Sequence, residues 1–344
     1  GYSRTPDTLF RSAANASHCR PASTFPFDPP PTRAMSHIYI YSPSSAVRDK
    51  AAYRRGVARL KALGHEVEID EAALTSHMRF AGDDETRLAA IGRAAASGAH
   101  VALISRGGYG LTRILGELPF KKLTKAIEGG TQFVGLSDFT ALQMALLAKT
   151  GACTWAGPAL GEDFGAEAPD DIMEACFDDL LAGHGEGAGW RLPASDLPFM
   201  KPAKADAQPE LRVRSATLWG GNLNVICSLV GTPHLPAITG GILFLEDTHE
   251  HPYRIERQLT QLLNAGILGR QKAVLLGSFN RFKLVPGYDR GFKLQTVVDW
   301  LRTKTRTPVF TGLPFGHVAT KVLLPVGQKV DLMVEGRDAL IYWG

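Results

Sequence analysis

The chain has 344 residues, of which 44% are hydrophobic and 21% charged. That composition excludes a disordered polymer and allows two domains at roughly 100–200 residues each. The 38 basic and 34 acidic side chains leave a formal charge of +4, too nearly balanced for a nucleic-acid surface. No apolar run approaches the roughly 18 residues that cross a bilayer. Cys19, Cys153, Cys176 and Cys227 lack any C-x-x-C or zinc spacing, so they read as reduced thiols of a cytoplasmic protein.

Residues 1–34 hold six prolines and no periodic apolar face, and read as a disordered or upstream extension ahead of Met35. No secretory signal is legible there. From Ser36 the pattern becomes regular. Strands are expected at His37–Tyr41, Glu66–Ile69 and His100–Ile104, with helices at Asp49–Leu63 and Asp83–Ala96, the alternation of a parallel α/β sheet whose sites gather at the carboxyl ends of its strands. The third strand runs into Ser105-Arg106-Gly107-Gly108-Tyr109-Gly110. This is either an ordinary tight turn or a place where backbone N–H groups approach a ligand. It is not a phosphate loop, because the G-x-x-x-x-G-K-[ST] spacing is missing.

Phe133-Val134-Gly135-Leu136-Ser137-Asp138-Phe139 reads as a strand and a sharp turn, followed by an apolar helix from Thr140 to Lys149. Ser137 at such a turn is a candidate nucleophile beside the first helical N–H groups. Ser137 or Asp138 could equally be a helix cap, and Phe139 stands where the G-x-S-x-G elbow has its last glycine. A strand ending at Thr154–Pro158 and a helix over Asp170–Ala182 complete an N-terminal domain, residues 35–182. The Gly/Pro/Ala-rich residues 183–210 read as a linker, and 211–344 as a second domain. There, Gly241–Asp247 is a buried strand ending in two carboxylates, Pro252 opens a helix, Ala273–Leu276 is another strand and Val297–Leu301 lies in a helix.

Serine chemistry needs a base within reach and a third group to hold that base. His317 stands on the Gly/Pro-rich loop Val309–His317, where the surrounding glycine and proline are expected to expose the ring. Glu246 ends a buried strand and needs a partner. Asp247 is its rival, expected from strand alternation to point the opposite way. His249 and His251 beside carboxylates raise a metal reading, weakened by the absence of a third ligand at a recognisable spacing.

Taken in order, Phe80-Ala81-Gly82, Arg106-Gly107-Gly108-Tyr109-Gly110, Gly135-Leu136-Ser137-Asp138, Gly220-Gly221-Asn222-Leu223, Phe244-Leu245-Glu246-Asp247, Pro252-Tyr253-Arg254-Ile255 and Gly312-Leu313-Pro314-Phe315-Gly316-His317 resemble the motif set of the LD-carboxypeptidases. The resemblance runs from about residue 36 to the end. It departs at Leu136, where an aromatic is commonest, and in the extension through Ala34. It implies an N-terminal α/β domain carrying the serine in a nucleophile elbow and a C-terminal swivelling β/α domain carrying glutamate and histidine. It further implies a cytoplasmic homodimer without cofactor or metal, cutting the terminal D-alanine from a murein tetrapeptide in cell-wall recycling. Ser137, Glu246 and His317 would be catalytic, with the N–H groups of Gly108 and Asp138 as the oxyanion hole. Arg106 would hold the substrate carboxylate or merely brace the glycine turn. Two other readings stay open: a microcin-immunity-type hydrolase of aminoacyl nucleotides, with Trp190 stacking on adenine, and a non-catalytic peptide-binding protein.

Overall fold

The computed structural model describes residues 35–199 and 210–343. The extension through residue 34 and residues 200–209 of the expected linker lie outside the described residues. The first half alternates β1 (His37–Tyr41), α1 (Lys50–Ala62), β2 (Glu66–Ile69), α2 (Asp84–Ala96), β3 (Val101–Ile104), α3 (Phe120–Glu128), β4 (Gln132–Gly135), α4 (Thr140–Thr150), β5 (Thr154–Ala156) and α5 (Asp171–Ala182). The second holds β6 (Gly187–Arg191), β7 (Glu210–Asn222), α6 (Leu223–Leu229), β8 (Ile242–Thr248), α7 (Pro252–Asn264), β9 (Ala273–Asn280), α8 (Leu294–Lys304), β10 (Val309–Phe310), β11 (Leu324–Val326), β12 (Lys329–Glu335) and β13 (Asp338–Tyr342).

Local chemistry sets the helix ends. The carboxylates of Asp49, Asp83 and Asp170 accept backbone N–H bonds at the starts of α1, α2 and α5, where unpaired donors and the positive end of the helix dipole favour them. Gly151 and Gly183 close α4 and α5 in the left-handed conformation, which glycine adopts without a Cβ clash.

The first sheet has the order β11-β5-β4-β3-β1-β2, parallel except for the edge strand β11. Strand order reverses between β1 and β3, so the carboxyl ends of β1, β3 and β4 form a crevice of the kind in which open α/β sheets bind ligands. The second sheet runs β10-β9-β8-β7-β12-β13-β6, with β7 to β10 parallel and the remainder antiparallel. β11 lies far along the chain yet completes the edge of the first sheet.

Part of the segment read as a linker is ordered differently from that reading, because residues 187–191 form strand β6. Its glycines conceal it, since a Cβ on Gly187 would stand 2.5 Å from the Ile341 carbonyl. Close backbone pairing with β13, rather than side-chain burial, defines this strand.

Helix α4 explains why the residues after Ser137 are almost uninterruptedly apolar. Thr140 through Leu146 are all buried, the condition of a helix covered on every side. It packs on α6 and β7 of the second half as well as on the first. One hydrophobic cluster runs through Tyr41, Phe139, Leu142, Trp219 and Phe244, and burying each of Leu142, Met144 and Leu146 contributes roughly 1.5–3 kcal/mol.

Gly220 and Gly221 let β7 make these approaches. A Cβ on Gly220 would stand 1.9 Å from the Phe244 carbonyl oxygen, and one on Gly221 2.5 Å from the Thr140 hydroxyl. Both residues have φ near +140°, so a side chain there is strained as well as crowded. Gly221→Ala is therefore expected to lower stability by about 1–3 kcal/mol, read as a fall in the thermal midpoint. A wild-type melting curve would contradict this packing.

Candidate active site

The first half of the site is built around Ser137. It follows the extended Leu136 and opens the 3-10 turn Ser137–Phe139 that leads into α4. Its φ of +65° is the left-handed conformation that non-glycine residues rarely adopt. Such strain collects where the fold must present a side chain in one direction. Gly135 leaves no room for a Cβ against Phe139 and Ile104, which keeps the turn tight.

The glycine-rich turn lies directly over this serine. A Cβ on Gly107 would come within 2.7 Å of the Ser137 Cβ and 2.9 Å of its Oγ. The turn is braced from three directions. Leu111 N–H donates to the Asp138 carboxylate at 2.8 Å. The fully buried Arg87 donates to the Gly110 carbonyl at 2.8 Å. The Ser45 hydroxyl exchanges hydrogen bonds with the backbone of Tyr109. Burial pushes the Asp138 carboxyl up to about 6, against the Leu111 N–H bond, which lowers it. Asp138 thus ties the glycine turn to the serine turn and does not cap α4 with its side chain.

Arg106 is half-buried, donates to the Ala46 carbonyl at 3.0 Å, and pairs with no carboxylate among the described residues. Burial lowers its pKa, with Glu162 opposing and Arg48 and Arg79 adding to the shift. The guanidinium does brace the backbone, and it belongs to a group of three cations beside the glycine turn.

The second half is a buried acid–base pair at the carboxyl ends of the other sheet. His317 Nδ1 and Glu246 Oε2 lie 2.7 Å apart, with both residues buried. The expectation of an exposed ring is corrected here. The loop folds inward over the buried Phe315, and a Cβ on Gly316 would meet the Glu246 side chain, so glycine serves close approach rather than exposure. Asn280 donates to the His317 carbonyl at 2.8 Å. Burial works to lower the His317 pKa, but the hydrogen bond and charge of Glu246, with the charge of Glu162, outweigh it and raise the pKa.

Asp247 makes no hydrogen bond to the imidazole among the described residues; its carboxylate accepts the Asn224 N–H at 2.9 Å and the Thr248 N–H at 2.8 Å. The pairing of β8 with β9 shifts register here, Leu245 facing Leu276 and Asp247 facing Phe279, so the extra residue lies in β9. Both carboxylates reach the same amide, Asn222 Nδ2 standing 3.2 Å from Glu246 and 3.0 Å from Asp247. Burial and the neighbouring Glu246 push Asp247 up to about 6.

Asn222 is the residue that reading the sequence for function missed. Its side chain holds Glu246 and accepts the Val225 N–H at the start of α6, while its backbone N–H donates to Thr140 Oγ1 at 3.0 Å, three residues beyond Ser137. It therefore joins the two halves. Its place after two glycines and before an apolar helix was the available signal. Glu162 gives a second connection, since its charge acts on both His317 and Arg106. Among the described residues the Ser137 hydroxyl makes no hydrogen bond, with His317 or any other group, so the pair Glu246–His317 is assembled and its link to the serine is not.

The histidines of the metal reading are engaged separately. His251 Nε2 meets Asp289 at 2.9 Å while its Nδ1 accepts the Tyr253 N–H, and His249 Nδ1 lies 3.2 Å from the Thr248 hydroxyl. No group of three or more His, Cys, Asp or Glu among the described residues is placed to hold a metal. Trp190 lies half-buried on β6 with its indole N–H directed at the Thr311 carbonyl, 3.4 Å away.

Residues 38–157 match the model of the LD-carboxypeptidase N-terminal domain and residues 215–332 that of the C-terminal domain. A solved muramoyltetrapeptide carboxypeptidase from Oxalobacter formigenes is 39% identical, with a TM-score of 0.76, covering 89% of this chain and 98% of its own. A Synechocystis sp. protein provisionally named a carboxypeptidase is 30% identical over 305 residues, 88% of this chain and 93% of its own. The Escherichia coli microcin C7 self-immunity protein MccF is 29% identical over 245 residues, 65% of this chain and 69% of its own. A structure of MccF with glutamyl sulfamoyl guanosine, at 22% identity and a TM-score of 0.75 over 89% of this chain and 96% of its own, shares the fold.

The pair geometry has a direct consequence for pH. An imidazole accepts a proton only when neutral, so if His317 is the base of a reaction here, the acid limb of kcat/KM follows its raised pKa and lies above the ordinary histidine value. In Glu246→Gln the charge of Glu246 is lost, leaving Glu162 alone to raise the pKa against burial and the charge of Lys321. The limb should move to lower pH and kcat should fall by up to ~10⁴-fold. A pH–rate profile of the variant superimposing on wild type would remove Glu246 from the mechanism.

Proposed function

Because the chain belongs to the LD-carboxypeptidase family, we propose that it is a serine-type carboxypeptidase that releases the terminal D-alanine from a murein tetrapeptide. The observation that carries this reading is a strained serine under a glycine turn, in one chain with a buried Glu246–His317 pair. The catalytic group is Ser137, Glu246 and His317. Ser137 Oγ attacks the carbonyl before the D-alanine as His317 Nε2 takes its proton, and Glu246 stabilises the imidazolium through Nδ1. The Gly108 and Asp138 N–H groups receive the developing oxyanion, each donor contributing about 2.7–4 kcal/mol. The tetrahedral adduct collapses by expelling the D-alanine amine, which leaves with the proton from His317. Water, deprotonated by the same imidazole, then hydrolyses the acyl-serine.

An exopeptidase must also hold the free terminal carboxylate. Arg106 is our candidate, supported by its three-arginine setting and the absence of a carboxylate partner among the described residues. A murein substrate fits the 39% identity to the Oxalobacter enzyme better than an aminoacyl nucleotide does. The proposal extends to a cytoplasmic homodimer that acts in cell-wall recycling without cofactor or metal, and to an N-terminal domain over 35–182 and a C-terminal domain over 211–344.

Ser137→Ala is expected to abolish tetrapeptide cleavage, read by mass spectrometry of the products, while circular dichroism stays that of wild type. Full activity in that variant would end the proposal. Preferential cleavage of an acyl-adenylate analogue by the wild type would move the chain to the microcin-type branch. Failure of a serine-directed phosphonate to label it would leave a binding protein.

A further inference from the structure

The loop that carries His317 leaves the second sheet at β10 and enters the first sheet at β11. On the second-sheet side the histidine is held by Glu246 and Asn280. On the first-sheet side the loop ends in a buried ion pair, Lys321 Nζ to Asp163 Oδ1 at 2.7 Å, with both side chains at most 3% exposed. Asp163 lies in the helical turn Leu160–Phe164, where its other oxygen accepts the Ala159 N–H at 2.8 Å. That turn is pinned beside the glycine turn, since Gly161 N–H donates to the Ser105 carbonyl at 3.0 Å. One residue before the lysine, Thr320 donates to the Asp170 carboxylate at 2.7 Å.

A buried ion pair is a poor source of stability, because desolvating two charges costs about as much as their attraction returns. Burial raises the Asp163 pKa even against the charge of Lys321. What the pair supplies is geometry, since a charge buried in one place accepts its partner in one place only. We propose that Lys321–Asp163 is a clamp that fixes His317 relative to Ser137, making both positioning residues for the imidazole. The inference rests on the serine-peptidase reading above. An error of about 1 Å in placing a catalytic group can cost about 100-fold in rate, and these side-chain bonds tie the loop, close to its histidine, to the layer that bears the serine. The charged groups acting on the imidazole are Glu246, Glu162 and Lys321.

Removing one partner strands a buried charge, so the test uses the neutral pair Asp163→Asn with Lys321→Met. The asparagine side chain can still accept the Ala159 N–H, and the methionine fills the space of the lysine. The double variant is expected to melt within about 4 °C of wild type. Amide hydrogen exchange over residues 316–323 should be about tenfold faster, and kcat on a murein tetrapeptide about 10–100-fold lower with KM within about twofold. Unchanged exchange, or unchanged kcat with faster exchange, would overturn the clamp. Exchange reports the clamp in an inactive chain as well as an active one. Faster exchange beside a wild type that cleaves no tetrapeptide would fault the functional reading and uphold the clamp.

Discussion

The hydrogen bond between Glu246 and His317 is the constraint around which the second half of the molecule is arranged. A carboxylate at the end of a fully buried strand is costly unless its oxygens are occupied. Here one oxygen meets the imidazole and the other the Asn222 amide. Gly316 brings the histidine loop against the glutamate, Asn280 fixes the loop backbone, and Gly220 and Gly221 lay β7 close enough for Asn222 to reach.

Ser137 is governed by a different constraint, backbone strain. The left-handed serine lies against Gly107, Gly135 packs on Phe139 and Ile104 at the end of β4, and Asp138 fastens the glycine turn in place. Helix α4 carries this arrangement into the shared core, and its first residue, Thr140, accepts the Asn222 N–H. The serine side and the acid–base side are thereby connected through one asparagine, whose backbone faces one half and whose side chain faces the other. Among the described residues the hydroxyl itself stays free of hydrogen bonds, as is common for catalytic contacts that tighten only when substrate arrives.

Much of this was legible in the sequence because its causes are local. Aspartates before apolar periods gave the helix starts, and Phe133-Val134-Gly135 gave the strand and turn that present Ser137. The seven ordered motifs gave the family. What escaped reading depends on contacts distant in the chain. The Asn222 amide that meets both Glu246 and Asp247 lies 24 and 25 positions away from them. The glycines around His317 look like exposure until the strand they approach is known. Strand β6 carries a glycine at 187 because its partner backbone is close there. Nothing local to Lys321 or Asp163 announces that they meet, since 158 positions separate them.

Ser137, His317 and Glu246 are proposed to act as one catalytic group. The most direct measurement is a crystal structure of the chain after reaction with a serine-directed phosphonate. The account predicts phosphorus bonded to Ser137 Oγ, the phosphonyl oxygen within hydrogen-bond reach of the Gly108 and Asp138 N–H groups, and His317 Nε2 about 2.6–3.2 Å from an oxygen of the adduct. Phosphorus on another residue, or an imidazole still paired with Glu246 but turned away from the adduct, would contradict it.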